Sequence, residues 1–202
     1  DLVDIYIMSS RLELKLSACM LYVYSNLTLG NAKASERGLE IIRECLRKEM
    51  EAPTSERNTA YCVFAGYMGT VLLHLSTEEL PDMKKYMSSL PQGLRIFAAN
   101  VISHDLYLKG EYSRALGICD AALFSCKEIY PVGMIYLYCV TAMCEISLKN
   151  QAEAEKAILT AWKLAVKDEL IEPFIELHGL LESCIRKENP EMYRKISDAV
   201  IT

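Results

Sequence analysis

The sequence predicts an all-α fold, a solenoid of about five antiparallel helical hairpins, and three observations carry that expectation. The 202-residue chain reads as helix after helix, with no period-two alternation of any length. Helix starts and stops are marked by capping residues, glycine and proline at short intervals. A pattern of small residues returns with a step near 39, the mark of stacked repeats rather than of one bundle. With 51% hydrophobic residues, the chain has ample material for a core.

Taken in order, breaks fall at Gly30, Pro53, Pro91, Gly110, Pro131, Asn150 and Pro190. They divide the chain into helices near 10–29, 35–50, 54–75, 77–88, 91–109, 111–128, 131–149, 151–168, 171–187 and 190–201. Ser10-Arg11-Leu12-Glu13 and Ser76-Thr77-Glu78-Glu79 fit the capping box, in which hydroxyl and carboxylate satisfy orphan amides reciprocally. Asn150 with Glu153 fits an amide-headed version, and Asn189-Pro190 sets an N-cap before a proline at the first helical position. Short connections force neighbouring helices antiparallel, so they pair into hairpins within a single domain over residues 1–202. The chain opens on Asp1 without an initiator Met and ends while still reading as helix, so a piece of a longer protein is expected.

The third hairpin carries Gly110-Glu111-Tyr112-Ser113-Arg114-Ala115-Leu116, then Cys119, Ala122 and Leu123. This resembles the tetratricopeptide signature, in which a Gly turn and a Tyr lead into a second helix with small residues seven apart. Ala115 and Ala122 hold those places, Ala154 and Ala161 repeat them with Ile158 and Trp162 as large partners, and Gly38 and Cys45 take them in the first hairpin. The second hairpin is degenerate, with Met83-Lys84-Lys85-Tyr86-Met87 where small residues belong. The resemblance implies a right-handed solenoid, with a step longer than the usual period of about 34.

In such a stack the first helix of each hairpin lines the concave face. Ile96 to Leu108, Val132 to Leu148 and Asn58 to Met83 contain no Lys or Arg, whereas Tyr recurs in the first helices. On the third of these, Phe97, Asn100, His104 and Tyr107 follow spacings of three, four and three, which place them on one face. With Tyr136 and Met143 they form the candidate recognition surface. A sugar-like neutral ligand would stack on Tyr and hydrogen-bond to Asn100 and His104; a partner helix would use Phe97 and Met143. The alternative is that these helices are buried on both sides, with their hydroxyls satisfied internally. Tetratricopeptide cochaperones clamp a peptide carboxylate with Lys and Arg on these inner helices, and the missing cations argue against that use.

Other chemistries find little footing. The net charge of −5 lacks the basic stripe of a DNA reader, and the cations mix with Glu as helix-surface pairs, as in Glu44-Cys45-Leu46-Arg47-Lys48. No apolar run reaches the roughly 18 residues of a membrane span. Eight Cys (19, 45, 62, 119, 126, 139, 144 and 184) give no CxxC and no zinc spacing, so reduced, structural thiols in a cytoplasmic protein without metal or cofactor are expected. His74 ahead of His104-Asp105 resembles the metal core of HD-type phosphohydrolases, but His104 and Asp105 diverge by about 100° on a helix. His178 is read as a partly exposed helical histidine. No catalytic constellation emerges.

A further resemblance lies in Glu155-Lys156-Ala157-Ile158-Leu159-Thr160-Ala161-Trp162-Lys163-Leu164-Ala165, followed by Asp168-Glu169-Leu170-Ile171-Glu172-Pro173-Phe174-Ile175-Glu176 and by Leu177, Leu180, Leu181 and Ile185. This looks like the end of the tetratricopeptide-like region of MalT/LuxR-type bacterial regulators. The resemblance implies a non-catalytic sensor that takes a small neutral effector or a partner protein. DNA would be reached only through a helix-turn-helix that this chain does not contain. The alternative class is a general protein-interaction scaffold. Oligomeric state stays open.

Overall fold

The computed structural model describes residues 2–72, 80–126, 130–177, 181, 185–186, 191 and 193–194. Among them every regular element is helical, which meets the all-α expectation. Among the described residues nine α-helices run in order: α1 (Leu2–Ile7), α2 (Leu12–Thr28), α3 (Ala32–Glu51), α4 (Glu56–Leu72), α5 (Gln92–Leu108), α6 (Tyr112–Cys126), α7 (Pro131–Ser147), α8 (Gln151–Ala165) and α9 (Glu172–Glu176). Short 3-10 helices occupy Met83–Ser89 and Val166–Asp168. The contacts divide the chain into two compact units, Asp1–Val101 and Ile102–Thr202, with the division falling inside α5.

In the first unit α2 packs antiparallel to α3, and α4 packs on both. α3 shows why a sequence of mixed charge makes an outer helix. Leu39, Ile42 and Leu46 are buried with Ser35 and Gly38, while Glu36, Arg37, Glu40, Arg43, Glu44, Arg47 and Lys48 stay exposed. Lys48 reaches Glu44 one turn back at 2.5 Å. α4 is the opposite case, with Thr59 through Tyr67 all buried. A Cβ on Gly38 would lie 2.7 Å from Val23 Cγ2 and 3.2 Å from Tyr22 Cδ1, so this glycine permits the close approach of α3 to α2.

The α3–α4 turn is tied by a buried carboxylate. Glu49, only 5% exposed, accepts from the Thr54 amide at 2.8 Å, the Thr54 hydroxyl at 2.8 Å and the Thr59 hydroxyl at 3.1 Å. Burial alone would raise its pKa, but these donors and the Ser55 amide outweigh it and hold the carboxyl below its ordinary value.

In the second unit α7 is the central helix, packed on α6, α8 and α9. Its core joins Ile135, Cys139, Ala142 and Met143 of α7 to Ala154, Ala157, Ile158, Ala161 and Ala165 of α8 and to Phe174. Trp162 packs edge-on against Phe174, with ring centroids 5.7 Å apart. Ser103, Cys119 and Thr141 meet through side-chain hydrogen bonds, which join the last turns of α5 to α6 and α7.

Four turns close in the same way. Gly30 and Gly110 have φ of +69° and +75°, and Lys149 and Glu169 have φ of 65° and 55°. In each, the next amide donates back five residues: Asn31 to Asn26 (2.7 Å), Glu111 to Leu106 (2.8 Å), Asn150 to Glu145 (2.9 Å) and Leu170 to Ala165 (3.1 Å). This is the Schellman closure, which satisfies the last carbonyls of a helix.

Several expectations need correction. Residues 2–7 form a helix that the sequence reading did not place. Of the helix expected at 77–88, residues 77–79 lie outside the described residues, and the rest is replaced by a 3-10 helix over Met83–Ser89, at whose start the Asp82 side chain accepts from the Lys84 amide. Ser10 and Glu13 do not build a capping box: the N-cap of α2 is Arg11, whose amide donates to Ser9 Oγ, and Glu13 is drawn to Arg57 of α4 at 2.7 Å. Asn150 is the N-cap of α8, but its amide turns to Glu145 at 2.8 Å while Glu153 pairs with Lys156. Asn31 makes a capping bond that the reading missed, accepting from the Ala34 amide at 3.3 Å. Counted from the turns, Ser35 rather than Gly38 is the counterpart of Ala115 and Ala154, each five residues beyond its turn. These three are buried to 1%, 0% and 0% exposure. Ala122 is half-buried, whereas Ala115 and Cys119 in the same helix are fully buried. Ser76-Thr77-Glu78-Glu79, Asn189-Pro190, His74 and His178 lie outside the described residues.

Candidate functional site

The six candidate residues come from two helices, α5 and α7, and from both units. Phe97 and Asn100 belong to the first unit, and both are half-buried. The Asn100 Oδ1 atom itself is shielded from solvent. His104, Tyr107, Tyr136 and Met143 belong to the second unit, and there the structure brings the last three to one cluster. Met143 sits inside the hydrophobic core, and Tyr107 and Tyr136 pack against it from its edge.

Burial separates these residues by role. Met143 is 1% exposed and His104 is 6% exposed, with Nε2 shielded from solvent. In the folded chain neither presents a face to a ligand. α7 is buried almost all round between Gly133 and Cys144, as α4 is in the first unit. A cation in the buried stretches of α4 and α7 would be desolvated with little to compensate it, which accounts for the lack of Lys and Arg there.

Tyr107 and Tyr136 keep part of their surface in solvent. The Tyr107 ring lies 6.2 Å from His104, edge-on, and 5.6 Å from Tyr112 at the start of α6. The Tyr136 hydroxyl donates to Glu176 Oε1 at 2.5 Å, a short charge-assisted bond that ties α7 to α9. In the sequence Glu176 stands out only as an acidic residue after Pro173-Phe174. A register that faces α9 toward α7 is what selects it, and one sequence does not display that register. Asp105, 5% exposed, is bound at 2.8 Å by Lys109, which lies just past the end of α5.

The thiols are the other titratable groups of the interior. Burial pushes Cys19 up to about 11 and Cys62 and Cys144 up to about 12, and it raises Cys45, Cys119 and Cys139. At Cys119 the hydrogen bonds from Ser103 and Thr141 oppose that rise without cancelling it. All six are free thiols. Among the described residues no group of three or more His, Cys, Asp or Glu is placed to hold a metal ion.

One feature escaped the sequence reading altogether. A shallow depression of about 440 Å³ lies at the start of α3, lined by Tyr22, Asn31, Lys33, Ala34, Glu36, Arg37 and Glu40. Its rim carries cations and carboxylates in alternation, so it offers no net charge to a ligand. Among the described residues no helix is long and apolar enough to cross a membrane. Compared with known proteins, the chain matches no family model, no curated protein and no solved structure.

Proposed function

We propose that this chain is a non-catalytic sensing domain, a right-handed solenoid of tetratricopeptide-like hairpins from a cytoplasmic, MalT/LuxR-type bacterial transcription regulator. The observation that carries the repeat is the turn. Of the four Schellman closures, the three that lead into α3, α6 and α8, at Gly30, Gly110 and Lys149, stand 80 and 39 residues apart, two steps and one step of a period near 40, while the fourth, at Glu169, ends α8. Each of those three is followed after five residues by a buried small residue. An architecture of this kind presents surfaces for recognition and leaves chemistry to other modules. The six free thiols, five of them buried, suit a reducing compartment.

Burial shifts the reading from a small effector toward a partner protein. With His104 and Met143 in the interior, a small ligand would keep only Tyr107 and Tyr136 in the second unit. A protein partner needs no pocket and can use the partly exposed aromatic edges of Tyr107 and Tyr136. The test is thermal stabilisation by a panel of neutral metabolites and neutral helical peptides, repeated with Tyr107→Ala and Tyr136→Ala. Saturation at about a hundredfold excess over Kd raises stability by about 2.7 kcal/mol. A peptide hit lost in both variants supports the reading. A hit that survives both removes this surface from the proposal. The regulator assignment stands on the parent reading frame: one that contains no basic helix-turn-helix leaves only the general interaction scaffold.

A further inference from the structure

We infer that Cys45 of α3 and Cys62 of α4 are a redox pair, which peroxide oxidises to a disulfide that clamps the two helices together. Contacts across the α3–α4 turn fix their register. Glu49 accepts from the Thr59 hydroxyl at 3.1 Å, and Leu46 Cδ2 lies 3.4 Å from where a Cβ on Gly66 would stand. Leu39 meets Gly69 in the same way, so the two helices run antiparallel along this contact. Cys45 stands four residues before Glu49, and Cys62 three residues after Thr59. One helical turn along from a bonded pair, the two thiols therefore come to one level. They are close enough that charge on Cys45 shifts the ionisation of Cys62. Gly66, the next turn beyond Cys62, has no Cβ to hold the helices apart there.

Exposure divides the roles. Among the six described free thiols only Cys45 is not buried, while Cys62 is 0% exposed. An oxidant in solution meets Cys45 first. Burial raises the Cys45 pKa, and the charges of Lys15 and Lys48 oppose that rise, in favour of the thiolate that reacts. Cys45 also influences Cys19 of α2, but that residue belongs further along α3. The Cys19 carbonyl lies 3.5 Å from where a Cβ on Gly38 would stand, two turns before Cys45. Cys62 is the partner that the register supplies.

The Cys45 thiolate attacks one oxygen of hydrogen peroxide, the O–O bond breaks, and the departing hydroxide takes a proton to leave as water. The Cys62 sulfur then attacks the sulfenic sulfur of Cys45. Its S–O bond breaks, and hydroxide leaves with the Cys62 proton as a second water. Two thiols have lost two electrons and two protons, and one peroxide has become two waters. Exchange with reduced thiols returns the pair to its free state, so the clamp is reversible.

The folded chain, treated with hydrogen peroxide and then alkylated, should lose two hydrogens by mass and yield a peptide cross-linked from Cys45 to Cys62. Its urea midpoint should rise, and dithiothreitol should restore both mass and midpoint. Cys45→Ser, at a half-buried position, should abolish the cross-link. Cys62→Ala should leave Cys45 as a sulfenic acid that dimedone traps. A cross-link from Cys45 to any other thiol overturns the inference, as does a native chain that dimedone labels at Cys45 without disulfide. So does a Cys45 that stays a free thiol under peroxide that fully oxidises cysteine itself. The inference does not rest on the sensing role, and either can fail without the other.

Discussion

At the scale of single residues, Lys149 holds a backbone conformation that its side chain disfavours. A left-handed residue with a Cβ costs about 1–2 kcal/mol, and glycine avoids most of that at some expense in chain entropy. Gly30 and Gly110 occupy the matching positions with open space around them. Lys149→Gly should therefore raise stability by about 0.5–1 kcal/mol, and Gly110→Ala should lower it comparably, both read from urea midpoints. Glu49 gives a prediction with a sign in pH. Its folded pKa lies below the ordinary value, so its contribution is complete above the unfolded pKa of about 4.3 and is lost as pH falls through the folded value. Glu49→Gln would set an amide among donors and should cost about 1–3 kcal/mol near neutrality. Urea melts across the acid range should show its stability falling less steeply than that of the native chain. Neither residue announced itself in the sequence. A Glu near a helix end usually lies in solvent, and only the fold reveals that Thr54, Ser55 and Thr59 converge on this one.

Among the elements, the helices were legible and the details of their joining were not. Apolar periodicity and breakers located α2 to α8 to within a few residues, because each spans several turns of repeated pattern. The degenerate second hairpin was the exception, with a 3-10 helix capped by Asp82 where a weak pattern predicts an α-helix. The phase of the first hairpin was misread by one helical turn. Ser35 is small but polar, and its fitness for the interior comes from a hydrogen bond to the Val23 carbonyl at 3.3 Å, which composition does not display. The candidate site was legible in its spacing alone. The pattern places Phe97, Asn100, His104 and Tyr107 on one face, but whether that face is covered depends on neighbouring helices. Packing within α8 is open to direct test: Ala161, fully buried in the core, should cost about 1–3 kcal/mol as Ala161→Leu. Ala122→Leu, at a half-buried position, should cost clearly less, and thermal melts of the two variants side by side would check that order.

For the whole molecule, the buried thiols make an internal gauge of folding. Thiols raised to about 11 or 12 hold almost no thiolate near neutral pH, and burial also bars the reagent. In a chain carrying Cys45→Ser, Cys126→Ser and Cys184→Ser, the remaining five, all buried, should react with a disulfide reagent only as fast as the protein opens. All five should titrate once it is denatured. A rapid native-state phase would show that one of them is reachable. The pattern of helix pairing carries a kinetic consequence as well. Most contacts between described helices join elements adjacent in the chain, α2 with α3, α3 with α4, α6 with α7 and α7 with α8. Little loop-closure entropy is spent before such contacts form, which places the chain among fast folders, on the scale of microseconds to milliseconds. A ribosome releasing this polypeptide can let each hairpin settle soon after its second helix emerges, without waiting for distant sequence.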